Sequence, residues 1–145
     1  MRIYLAAKYS RRAELIGYAS RLAEIGHEVK ARWLSENHDL PLGGDPAMGL
    51  RFAEDDIEDC SQADCVISFT EEPGNPKSGR NRGGRHVEFG IALSLRRFSG
   101  CEGDGPRLIV VGWRENVFHY APEVEFFETF DLALKALRGM EALGS

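Results

Sequence analysis

The run Lys77-Ser-Gly-Arg-Asn-Arg-Gly-Gly-Arg-His-Val-Glu-Phe-Gly-Ile-Ala-Leu93 holds the residues best suited to chemistry. A loop rich in Gly and Arg enters an apolar helix whose first turn carries one carboxylate, Glu88. The glycines, Gly84 among them, let backbone N–H groups approach a ligand closely, and a helix N-terminus adds partial positive charge. With Arg80, Arg82, Arg85 and Ser78 the loop reads as a phosphate cradle. Glu88 has two readings. It either stabilises the positive helix end or pairs with Arg85, or it is a nucleophile or base beside a bound phosphate.

The rest of the chain bounds that reading. At 145 residues it fits one domain, spanning 1–145, with room for a real core. A net charge of −5 argues against a nucleic-acid polymer as partner, whereas the basic cluster at 77–85 suits a small anion. Cys60, Cys65 and Cys101 lack metal-ligand spacing, and their odd number argues against a disulfide framework, so a reduced, cytoplasmic setting is expected. No apolar run approaches the ~20 residues that span a bilayer, and Met1-Arg-Ile-Tyr starts a strand, so no membrane partner is expected.

Strands are expected over Arg2–Ala7, His27–Trp33, Ala63–Phe69, Leu108–Gly112 and 123–130. Helices are expected over 11–25, capped by Ser10, from Pro46 to Cys60, and over 85–97 and 131–143. Loop 35–47 is a candidate lid. The alternation predicts an α/β, single-domain, three-layer sandwich of the flavodoxin/Rossmann type, with a five-stranded parallel sheet. Ligands bind such sheets outside the strands' carboxyl ends, where the loops Lys8–Arg12, Thr70–Gly84 and Trp113–His119 converge, all three polar and cationic.

Other residues read more blandly by themselves. Asp56 falls in Glu54-Asp-Asp-Ile-Glu-Asp59, a pattern typical of a solvated helix face, and Asp64 caps or turns the chain. Tyr4 sits mid-strand, where a buried tyrosine still needs a partner for its hydroxyl. No P-loop, GxGxxG or GxSxG pattern is present, and the four histidines lack metal spacing, so neither a metal nor an organic cofactor is expected.

At these residues the chain resembles the nucleoside 2-deoxyribosyltransferase superfamily, which includes transferases, 2'-deoxynucleoside 5'-phosphate N-hydrolases and cytidine-monophosphate N-glycosidases. Ile3-Tyr4-Leu5-Ala6-Ala7, the eight-residue spacing of Asp56 and Asp64, Ala63-Asp64-Cys65-Val66-Ile67 and Gly84-Arg85-His86-Val87-Glu88-Phe89-Gly90-Ile91-Ala92 carry the resemblance. The last is similar to the family's Gly-x-x-x-Glu-x-Gly-x-Ala signature. The resemblance implies that Glu88 attacks the anomeric carbon and holds a covalent glycosyl intermediate. It also implies that Asp56 contacts the base or protonates its departure, and that Tyr4 orients the nucleophile.

Six residues before the nucleophile the transferases place an acid and the nucleotide hydrolases a serine; this chain has Arg82. With Ser10 and Arg11 that implies a nucleoside 5'-monophosphate substrate, its N-glycosidic bond cleaved by water. Base exchange between deoxynucleosides and a non-catalytic nucleotide sensor are the rival readings. Arg32 and Trp33 are expected to shape the base pocket. Asn116 resembles a residue that a neighbouring subunit donates, which implies a homodimer or higher homo-oligomer with shared sites.

Overall fold

The computed structural model describes residues 1–36, 43–74, 83–99 and 104–144, the last six of these as backbone only. Among the described residues there are five strands: β1 (Arg2–Ala6), β2 (Glu28–Val29), β3 (Cys65–Phe69), β4 (Arg107–Val111) and β5 (Val124–Phe127). They alternate with α1 (Arg12–Glu24), α2 (Pro46–Ser61), α3 (Gly84–Phe98) and α4 (Phe130–Gly144). All strand pairs are parallel, in the order β2-β1-β3-β4-β5. The expected α/β architecture is present, and β3 and β4, apolar almost throughout, are buried on both sides as a covered parallel sheet requires.

Successive side chains alternate across a strand, which divides the core into two layers. Tyr18 of α1 stacks between Phe69 of β3 and Phe130 at the start of α4, closing one face. Tyr4 and Ala6 of β1, paired with Val66 and Ser68 of β3, point to the other, where α2 and α3 pack. Strand order reverses between β1 and β3, so the crevice beyond their carboxyl ends is the switch point where such sheets take ligands.

Local chemistry explains most element ends. Asp45 accepts from the Ala47 N–H at 2.9 Å and Pro46 occupies the first turn, together starting α2. Beyond the strand ends, the Thr70 hydroxyl donates to Val111 O at 3.1 Å and accepts from Trp113 N at 2.6 Å, stitching β3 to β4. Gly112, at φ +116°, passes so close that an added Cβ would lie 2.9 Å from that hydroxyl.

Two local expectations are corrected. Ser10 does not cap α1: Tyr9–Arg11 form a 3-10 turn, Arg11 holds the cap position, and no side chain bonds the helix end. The second strand is only Glu28–Val29, because the chain turns into a 3-10 turn at Arg32–Leu34. Three tertiary contacts enforce that turn: Trp33 Nε1 donates to Leu5 O at 2.9 Å, and Asp59 takes both the Arg32 backbone N–H and its guanidinium. Part of the candidate lid, and Cys101 between α3 and β4, lie outside the described residues.

Candidate active site

Three elements remote in sequence bring Tyr4, Asp56 and Glu88 together. Tyr4 is fully buried in mid-β1, and the side chains of Glu88 (α3) and Asp56 (α2) both act on its phenol. Burial first, then those two carboxylates, hold Tyr4 well above its ordinary pKa. Burial likewise pushes Glu88 up to about 8; contact with Tyr4 opposes the rise and the charge of Asp56 adds to it. Glu88 is partly exposed as a residue, yet its Oε2 is sealed from water and has no partner of regular hydrogen-bond geometry. The Tyr4 hydroxyl is in the same condition. The two groups feel one another without closing an ordinary hydrogen bond.

Cys60, one turn beyond Asp56 on α2, donates its thiol to Glu88 O at 3.2 Å. Burial, then the charges of Glu88 and Asp56, push this thiol up to about 12, so it remains a neutral donor. Helix α3 starts at Gly84 behind Gly83, which is left-handed at φ +77° and offers no side-chain cap. The Glu88 carboxylate folds back over that first turn, with Oε1 3.9 Å from where a Gly84 Cβ would stand. A Cβ at position 84 would therefore meet the carboxylate only at ordinary van der Waals distance.

Around the loops after β1, β3 and β4 and the first turn of α3, a cavity of about 210 Å³ is lined by Lys8, Glu71, Glu72, Arg85 and Glu115 with Pro73 and Gly74. Arg85 is buried and bonds Glu115 at 2.6 Å; Glu115 also accepts from Glu71 N at 2.9 Å. Burial alone would raise Glu115, but Arg85 and that N–H hold it below its ordinary range. His119 Nδ1 accepts from Glu115 N at 2.9 Å, so the neutral ring carries its proton on Nε2. Ser68 Oγ, on the Tyr4 face of β3, and Lys8 Nζ are further buried polar atoms without hydrogen-bond partners. Natural proteins seldom leave such groups unsatisfied, and here Tyr4, Glu88, Ser68 and Lys8 all belong to the β1/β3 crevice or its wall.

The other expected site residues fare differently. Arg11 reaches Thr70 O at 3.1 Å and Glu71 at 3.5 Å, placing it at the edge of this region, while Ser10 is exposed. Arg32 is committed to Asp55, Glu58 and Asp59, and Trp33 is buried against β1. Asn116 caps its own 3-10 turn through Phe118 N at 3.0 Å, with its amide 3.5 Å from His86 Nδ1. Ser78 and Arg82 lie outside the described residues. Among the described residues no group of three His, Cys, Asp or Glu side chains is placed to hold a metal.

Sequence reasoning missed Lys8, Cys60, Ser68 and Glu115. A lysine directly after a buried strand was a usable signal for Lys8. The others become recognisable only once the strands are paired.

No protein-family model and no curated protein sequence matches the chain. Solved structures do. A CMP N-glycosidase, BcmB, from Clostridium botulinum superposes with a TM-score of 0.55 at 20% identity, covering 94% of this chain and 98% of that one. The 2-deoxyribosyltransferase of Bacillus psychrosaccharolyticus superposes with a TM-score of 0.64 at 16% identity, covering 92% and 90%. The chain shares their fold. It spans nearly the whole of both solved chains. Among the described residues no helix is long and apolar enough to cross a membrane.

Proposed function

We propose that this protein is an N-glycosidic-bond enzyme of the nucleoside 2-deoxyribosyltransferase superfamily. Its reaction would cleave a nucleoside 5'-monophosphate through a covalent glycosyl-Glu88 intermediate that water resolves. The observation that carries this reading is the buried Glu88 carboxylate, raised to about 8 between Tyr4 and Asp56. A solvated carboxylate at a helix end would have no cause to be raised; a perturbed acid in a switch-point crevice is what nucleophilic catalysis uses.

The chemistry follows from the pair of acids. Near neutral pH Glu88 holds a proton beside the charge of Asp56. Moving that proton from Glu88 to Asp56 prepares both groups at once: an ionised nucleophile and a loaded acid. Glu88 attacks C1', the C1'–N bond breaks, and the base leaves with the proton from Asp56. Tyr4 keeps the attacking oxygen in line. Water, deprotonated by Asp56, then cleaves the glycosyl ester and frees Glu88.

The test is incubation with a panel of nucleoside 5'-monophosphates and their free nucleosides, with product analysis, followed by trapping with a 2'-fluoro analogue. A mass adduct on Glu88 supports the reading. Tight binding with neither adduct nor product would favour a nucleotide sensor. Transfer to a second base is the other enzymatic reading, favoured by the likeness to a deoxyribosyltransferase; a new nucleoside on addition of free base would establish it.

We further propose a homodimer or higher homo-oligomer in which Asn116 approaches the neighbouring site. The exposed Val117, Phe118 and Tyr120 beside it support such a contact. Activity that does not fall on dilution to monomer would remove this part. A cytoplasmic location accords with the free, buried thiols of Cys60 and Cys65, and labelling in cell fractions checks it.

A further inference from the structure

Among the described residues, Lys8 is the cation of the crevice wall with the least to do. Its residue is 8% exposed, its Nζ has no hydrogen-bond partner, and its nearest counter-charge, Glu71 Oε1, stands 3.9 Å away. The Glu71 carboxylate is as loosely held on its other side, 3.5 Å from Arg11 Nη1. Arg85, by contrast, is locked to Glu115 at 2.6 Å. Among the described residues, two buried cations, Lys8 and Arg85, face three carboxylates around the 210 Å³ cavity, so an anion entering between them would displace one of those carboxylates. Of Glu71 and Glu115, Glu71 has the longer ion pairs, while its backbone N–H stays anchored on Glu115.

We propose that Lys8 receives the 5'-phosphate of the substrate and that Glu71 is the placeholder it expels. This rests on the nucleotide reading above and assigns its phosphate specificity to a residue of the β1 loop. A dianion brings more charge to Lys8 than the carboxylate it replaces, and it can close the hydrogen bonds that Glu71 leaves open at 3.9 Å. A free nucleoside offers nothing in exchange for the Lys8–Glu71 pair. Discrimination then arises from the competitor as much as from the cation.

The experiment is calorimetric titration of the full chain with ribose 5-phosphate, which has no base to lose, and with inorganic phosphate. Lys8→Met should weaken ribose 5-phosphate on the order of 10- to 100-fold, the scale of one charge-assisted bond. Glu71→Gln should tighten it severalfold, and the double variant should show no such gain over Lys8→Met. A merely structural role would move both single variants the same way. Unchanged affinity in Lys8→Met, weaker binding in Glu71→Gln, or no binding by the wild type overturns the proposal. Failure of the glycosidase reading shows separately, as nucleotide left intact by a protein that still binds ribose 5-phosphate.

Discussion

The Cys60 thiol and the Glu88 backbone carbonyl, 3.2 Å apart, tie α2 to α3 at the turn that carries the raised carboxylate. Asp56 lies one turn earlier on the same helix, so this contact helps set the separation of the two acids. Cys60→Ala should lower kcat severalfold with KM little changed, and Cys60→Ser, which keeps a donor, should recover most of it. Steady-state kinetics on the two variants checks the pair; equal loss in both would reduce Cys60 to a packing residue.

Glu88→Gln should abolish turnover, with a residual rate at least 10²-fold lower. In the wild type, kcat/KM should fall as pH rises through about 8, because the one proton that Glu88 and Asp56 share is then lost and no acid remains for the leaving base. The stability effect runs in the same direction. Because the folded-state pKa lies above the ordinary 4.5, protonation stabilises the fold fully below about 4.5 and the contribution is lost as pH rises through about 8. Thermal melts should therefore show Glu88→Gln gaining on the wild type at pH 9 relative to pH 5.

Tyr4 and Asp56 pull the Glu88 pKa in opposite directions, the phenol down and the carboxylate up. Tyr4→Phe should shift the midpoint of the kcat/KM profile to higher pH, and Asp56→Asn to lower pH. Both should reduce kcat on the order of 10- to 10³-fold. Midpoints moving together would mean that the two residues do not both couple to Glu88.

Thr70→Val removes one buried and one partly buried hydrogen bond between the ends of β3 and β4 and leaves Trp113 N without its acceptor. We expect a loss of about 1–3 kcal/mol, read from urea denaturation. Gly112→Ala should cost at least as much, since its Cβ would meet the Thr70 hydroxyl at 2.9 Å in a left-handed backbone conformation.

The alternation of apolar strands with capped or glycine-ended helices was legible because it rests on local rules: Pro46 opens α2 and Gly26, at φ +93°, follows α1. The expectation of a longer second strand failed because the competing forces are not local. Asp59 and Leu5 O, both distant in the chain, turn Arg32 and Trp33 away from the sheet. Those two residues looked available for a base and are held by the protein itself.

By itself the sequence determined the order of elements and the position of Glu88 one turn beyond a glycine-rich loop, since both follow from periodicity and backbone chemistry. It also carried, through resemblance, the grouping of Glu88 with Tyr4 and Asp56. Only the tertiary structure decided the electrostatics of that group. Desolvation depends on what packs above and around a carboxylate, and no spacing along the chain encodes it. The same holds for Lys8: a lysine after a strand is ordinary until β3, β4 and α3 close around it and leave its charge facing a cavity.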